Sequence, residues 1–213
     1  MMKHIYLVRH GETTGNRSWR HQQLSTPLNA FGRAEAEAVA RSLAALPIDT
    51  LIVSDAVRTQ ETAALIARAT HIEPRALTLF RELRRAKSIE GKHIFSFAAI
   101  ASVFLFYIHS DTRVWHNDDG ENLLEFLDRT RQALTLLAEE LGEHIVVVSH
   151  REFINGMIFD VEHDFTGSMA RFMAATEFAR LANASITHIT YDPSRRSAWR
   201  IERRGDTRHL RGL

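Results

Sequence analysis

Cysteine is absent from the chain, which excludes disulfides and thiolate metal sites. A dominant charge is absent as well. The net charge is +1 over 213 residues, so no broad nucleic-acid footprint is expected, and any anion site must come from a local cluster. The twelve histidines are scattered, with no His-x-x-x-His pair to suggest zinc, so no metal is expected. The uncharged stretch Ile94–Ile108 covers fifteen residues. A membrane-spanning helix needs about 20. This stretch is therefore expected to form a buried or cap-forming helix beside the site, outside any bilayer. The N-terminus reads as lacking a signal peptide, since Arg9 and His10 follow a short strand with no long apolar region. The expected setting is cytoplasmic, with no membrane partner. No internal repeat or long linker divides the chain, so residues 1–213 read as one domain.

An ordinary globular composition remains, 45% apolar and 25% charged. Two apolar runs stand out, Ile5-Tyr6-Leu7-Val8 and Ile145-Val146-Val147-Val148. Each reads as a buried strand, and each leads into a histidine, His10 and His150. Open α/β sheets place their sites at the carboxyl ends of strands, so both imidazoles are expected on one rim. Between them the chain alternates. Asn29 reads as the N-cap of a helix over Ala30–Leu46, with Phe31, Ala38, Val39, Leu43 and Leu46 inward and Pro47 closing it. Thr50–Val53 reads as a strand, and Ser54 or Asp55 as the cap of a helix over Ala56–Ala69. Arg75–Phe80 reads as extended. Leucines 123, 127, 134, 137 and 141 fall at helical spacing up to a stop at Gly142. Thr166–Leu181 reads as helix, Ala184–Tyr191 and Ala198–Glu202 as a hairpin, and the tail from Arg203 as loose. The pattern implies an α/β fold, a mostly parallel central sheet with helices on both faces.

His10 carries a neutral imidazole near pH 7, a usable nucleophile, with Arg9 beside it and Gly11 allowing close approach of a ligand. Arg58 sits in the first turn of the second helix, where a cation opposes the helix dipole by about 0.3–1 kcal/mol. Asp55 could neutralise it; alternatively its guanidinium fork serves an anion. Arg9, Arg58 and two imidazoles around one point would make a dianion site without metal. Glu82 has the chemistry of a general acid if burial raises its proton affinity. Composition alone does not select it over Glu12, Glu61 or Asp55.

Leu7-Val8-Arg9-His10-Gly11-Glu12-Thr13 resembles the signature of the histidine phosphatase superfamily, the phosphoglycerate mutase-like family. Further segments are similar to the family's motifs in order. They are Pro27-Leu28-Asn29-Ala30-Phe31-Gly32, Ser54-Asp55-Ala56-Val57-Arg58, Arg81-Glu82-Leu83, Asp119-Gly120-Glu121-Asn122, Val148-Ser149-His150 and Asn183-Ala184-Ser185-Ile186. The resemblance implies a three-layer sandwich with a helical cap insertion at about residues 83–120. It implies His10 as the nucleophile that becomes phosphohistidine and Glu82 as the acid that later activates water. Arg9, Asn16, Arg58 and His150 are implied to hold the phosphoryl group, with no cofactor.

Three departures from the family pattern bear on specificity. Arg151 and Glu152 stand where the family has Gly-Gly, Gln22 stands where many members have Gly, and Ile89 replaces an aromatic. The leading expectation is a phosphomonoesterase acting on a small phosphorylated substrate, with room for a homodimer. A phosphoglycerate mutase-type phosphotransferase is the alternative within the fold. A non-catalytic phosphate- or protein-binding module is the alternative of another class.

Overall fold

The computed structural model describes residues 1–109, 112, 114–163, 165 and 181–213. Its strands are β1 (Lys3–Arg9), β2 (Thr50–Val53), β3 (Pro74–Ala76), β4 (His144–Ser149), β5 (Ile186–Tyr191) and β6 (Trp199–Asp206). They form one sheet in the order β3-β2-β4-β1-β5-β6. β1, β2, β3 and β4 run parallel, while β5 is antiparallel to β1 and β6. The helices are α1 (Thr14–Arg17), α2 (Ala30–Leu43), α3 (Val57–Thr70), α4 (Phe97–Ile108), α5 (Leu123–Glu139) and α6 (Arg151–Glu162).

β1 and β4 are covered on both faces, which is why they read as unbroken apolar runs. Ile5, Leu7, Ile145 and Val147 pack with Phe126 and Leu134 of α5 and Phe153 and Met157 of α6. Tyr6, Val8, Val146 and Val148 pack with Val39 and Leu43 of α2 and Ala63 and Ile66 of α3. The result is three layers, as expected from the alternation. Burying one such side chain contributes roughly 1.5–3 kcal/mol, so this double-sided core fixes the sheet's register firmly.

Several boundaries differ from the periodicity, each for a local reason. α2 ends at Leu43, ahead of Leu46, and Phe31 is exposed at its first turn because the inward stripe begins at Gly32. α3 starts after Ala56, which makes no side-chain cap; neither Ser54 nor Asp55 occupies the cap position. Arg75–Phe80 divides into β3 and a 3-10 turn at Thr78–Phe80. α5 stops at Glu139, so Leu141 lies beyond it and is exposed, and Gly142, with φ of +88°, turns the chain afterwards. Asn122 caps α5 in a reciprocal box with Glu125. β5 begins at Ile186. The tail from Arg203 is ordered: β6 continues to Asp206, and a 3-10 turn follows at Arg208–Leu210. His209 bonds the Ala184 carbonyl at 2.8 Å, and Leu210 packs on the core under α2. The expected helix at 166–181 lies outside the described residues except at Leu181.

The uncharged stretch does contain a helix, α4, but it is not buried. Ala99, Ser102 and Phe106 face inward, while Phe97, Ile100, Phe104, Leu105 and Ile108 are exposed. Among the described residues no helix is long and apolar enough to cross a membrane.

The loop after β1 is pressed directly onto the start of α2. The Asn29 side chain accepts from the Gly32 amide at 2.7 Å and donates to Glu12 at 2.7 Å. A Cβ on Gly32 would stand 2.0 Å from the Glu12 carbonyl oxygen. Backbone meets backbone here, so nothing flexible can yield. Gly32→Ala is expected to lower the denaturant midpoint by an amount equivalent to about 1–3 kcal/mol, the usual range for overpacking. Equilibrium unfolding followed by circular dichroism measures it. An unchanged midpoint would show that the loop relaxes freely.

Candidate active site

Arg9 and Ser149 are register partners at the carboxyl ends of β1 and β4, so the next residues, His10 and His150, meet on one rim. The His10 amide donates to the Ser149 carbonyl at 3.0 Å, and the His10 carbonyl accepts from Ala184 at 3.2 Å. The rings lie edge to face with centroids 5.4 Å apart. His10 Nδ1 is 2.7 Å from the Gly11 carbonyl, which only accepts. Its partner therefore assigns the proton to Nδ1 and leaves the Nε2 lone pair available. His150 Nδ1 is 3.1 Å from Arg58 Nη2, a pure donor, so Nδ1 accepts and Nε2–H donates to Ser54 Oγ at 2.9 Å.

Arg9, His10, Arg58 and His150 are all buried. Arg9 Nη1 donates to the Leu181 carbonyl at 2.6 Å and Arg58 Nη1 to the Gln23 carbonyl at 2.8 Å. Their partners are carbonyls and an imidazole, not carboxylates. Among the described residues, Nε of each guanidinium is buried without a hydrogen-bond partner. Two buried cations with unsatisfied donors are costly to hold, and an oxyanion satisfies both charge and donors. Asp55 does not neutralise Arg58; its carboxylate takes Arg81 instead. Burial, followed by the charges of Arg58 and Arg9, holds the His10 imidazole well below its ordinary proton affinity. Burial and Arg58 do the same to His150. Burial, then Arg151, lowers the Arg9 guanidinium to about 10, so it stays cationic at neutral pH.

Asn16 is aimed by a network. Its Oδ1 accepts from the Thr13 amide at 3.1 Å, Thr13 Oγ1 at 2.9 Å and Asn183 Nδ2 at 3.2 Å. Opposite, the Glu82 carboxylate accepts from the amides of Leu83 at 3.1 Å, Phe153 at 3.1 Å and Glu152 at 3.3 Å. It thus stands at the N-terminus of α6, whose N-cap residue His150 offers no side-chain cap. Burial raises the Glu82 proton affinity, with the Glu152 charge adding to it; the Leu83 amide, Arg151 and Arg58 oppose.

A cavity of about 970 Å³ opens over these groups. Arg9, His10, Asn16, Arg58 and Glu82 line it, and His150 lies fully buried beneath, reaching it through Arg58. All six expected residues therefore converge. Arg151, Glu152, Gln22 and Ile89, the departures, also line it. Gln22 Oε1 lies 2.9 Å from Thr13 Oγ1, competing with Asn16 Oδ1 for its one proton, and its chain packs over Gly15. Among the described residues, no group of three or more His, Asp or Glu is arranged to hold a metal.

Residue-level reasoning left out two supports. Asn183 Nδ2 donates to the His10 carbonyl at 3.1 Å as well as to Asn16. Arg129 donates to the carbonyls of Leu79 at 3.0 Å, Arg81 at 2.7 Å and Glu82 at 3.2 Å, and is itself paired with Glu121. These two clamps hold the backbones of His10 and Glu82. Their sequence signal was only that each lies in or near a motif.

The family model of the histidine phosphatase superfamily (branch 1) matches residues 5–207. The chain belongs to this superfamily. The chain is 32% identical over 213 residues to a protein named "Probable phosphoglycerate mutase GpmB" from Enterobacter sp. (strain 638), covering 98% of this chain and 95% of that one. It is 31% identical to the protein of the same name from Escherichia fergusonii, with the same coverage. Its fold is that of phosphoserine phosphatase from Entamoeba histolytica, solved with 3-phosphoglyceric acid. The TM-score is 0.80 at 21% identity, covering 98% of this chain and 99% of that one. The mycobacterial glucosyl-3-phosphoglycerate phosphatase superposes with a TM-score of 0.77 at 22% identity, covering 97% and 100%.

Proposed function

We propose that this histidine phosphatase is a metal-independent phosphomonoesterase that works through a phosphohistidine at His10. The observation that carries the reading is the pair of buried, carboxylate-free guanidiniums, Arg9 and Arg58, set against a neutral imidazole whose Nε2 is unprotonated. His10 Nε2 attacks phosphorus, and the bond from phosphorus to the ester oxygen breaks. Glu82 gives its proton to that oxygen, and the alcohol leaves. Water then attacks phosphorus, Glu82 takes its proton, and the phosphorus–nitrogen bond breaks. Phosphate departs with Glu82 protonated again. Arg9, Asn16 and Arg58 carry the charge spread over the phosphoryl oxygens, and His150 acts on them through its bond to Arg58. The substrate is a small phosphomonoester, and no nucleic acid or membrane enters the scheme.

A second reading, a mutase, is favoured by the names of the relatives in Enterobacter and Escherichia. The two differ in the fate of the phosphoenzyme: water takes the phosphoryl group in one, a second hydroxyl of the substrate in the other. Product analysis with and without a bisphosphate primer decides between them. Release of inorganic phosphate independent of primer supports the hydrolase; isomerised phosphoester that requires primer overturns it. Because arginines supply the charge, activity should survive chelators. Loss in chelator restored by a divalent ion would contradict the scheme.

A further inference from the structure

The mechanism uses Glu82 but not the two charged residues that follow His150. Arg151 and Glu152 are the first two residues of α6, and both line the cavity. Arg151 Nε and Nη2 donate to Glu152 Oε1 at 2.9 and 2.7 Å. The Glu152 amide in turn donates to Glu82 Oε2 at 3.3 Å. A second acidic residue, its carboxylate tethered to an arginine, thus bonds the proposed acid through its backbone and shares the cavity with it.

We propose that the Arg151–Glu152 pair is a positioning device for Glu82: Glu152 keeps the proton on the acid until transfer, and Arg151 limits how strongly it does so. The proposal rests on the phosphatase reading above. Its physics is like-charge repulsion across a partly buried site. Ionised Glu82 would face ionised Glu152, so the protonated form of Glu82 is favoured while Glu152 keeps its charge. The Glu152 and Arg151 charges act on Glu82 in these opposite senses. The other cations near Glu82 belong to the phosphate machinery. Arg58 of α3 lowers its proton affinity, and Arg9 at the end of β1 couples to it. The imidazoles of His10 and His150 are held neutral beside these arginines. Arg129 of α5 touches only the Glu82 carbonyl, and Arg81 is committed to Asp55. Gly-Gly at positions 151 and 152 would leave the amides of residues 152 and 153 in place and supply neither charge.

The test is the alkaline limb of the pH–kcat profile on an alkyl phosphate, measured for the wild-type chain, Glu152→Gln and Arg151→Met. The acid must be protonated to act, so the limb follows its proton affinity. Glu152→Gln should move the limb to lower pH by about one unit, the scale of a neighbouring-charge effect. Arg151→Met should move it to higher pH. Both shifts should be smaller with a nitrophenyl phosphate, whose leaving group barely needs the proton. Circular dichroism confirms that each variant is folded, and either variant alone retains the sign test. One alkaline limb common to all three proteins would overturn the proposal. Labelled His10 in the wild-type chain would then leave the phosphatase reading standing; its absence would overturn that reading itself.

Discussion

His10→Ala is expected to yield no acid-labile, base-stable phosphoenzyme after brief incubation with labelled aryl phosphate, and to lose turnover by about 10⁴-fold or more, the scale of nucleophile deletions. The neighbouring imidazole, His150, cannot replace it. His150 has both ring nitrogens engaged, with Arg58 and Ser54, and lies beneath the cavity. Denatured protein from a rapid quench, run on an alkaline gel, reads the label. The same assay has a pH signature. The His10 imidazole is held neutral by burial and by Arg58 and Arg9, so its nucleophilic form persists below the ordinary imidazole value of about 6.5. Wild-type phosphorylation by aryl phosphate should therefore keep its rate from pH 7 down to about 6. Label that persists in His10→Ala would move the nucleophile elsewhere.

Glu82→Gln should separate substrates by leaving group. An alkoxide needs a proton in order to leave; a nitrophenolate barely does. Positioned proton transfer contributes about 10²–10⁴-fold, so alkyl phosphates should lose that much while phosphoenzyme formation from aryl phosphate loses little. Breakdown of the phosphohistidine should slow too, because the same carboxylate activates water, and labelled enzyme should accumulate. Glutamine keeps one oxygen, enough for the amides of Phe153 and Leu83, which share Oε1, so a contact with the start of α6 is preserved while the Glu152 amide loses its acceptor. Substitutions at Glu12 or Asp55 should lack the leaving-group dependence, since those carboxylates serve Asn29 and Arg81. Equal loss on both substrate types in the phosphorylation step would make Glu82 structural.

The parts of the fold that were legible in the chain were those buried on both sides. β1 and β4 announced themselves because a strand covered on both faces must be apolar at every position, and their histidines mark where cover ends. The phosphate-facing side chains were legible only through resemblance, since nothing in a lone Arg58 tells a ligand from a neutralising Asp55. The partners of Asp55 and Arg129 were illegible because they arise between elements far apart in sequence: Arg81 takes the first, and backbone carbonyls take the second. Periodicity placed Phe31 and Leu141 inward because it cannot locate where a helix turns away from the core. The end of the polar edge strand β6, from Arg203, read as a loose tail because its charged residues face solvent, as edge strands commonly do.

The neutrality of the two imidazoles also sets the protein's tolerance of acid. His10 and His150 bind protons less readily in the folded chain than in the unfolded one, where they return to about 6.5. Below that value the unfolded state takes up more protons, so stability declines as pH falls through it, ahead of the carboxylate range. The weak point in acid is thus the reaction centre rather than the surface ion pairs. An oxyanion held between Arg9 and Arg58 offsets the cations that keep these rings uncharged. Inorganic phosphate, the product of the proposed hydrolysis, would then act as a buffer against acid unfolding at this same site.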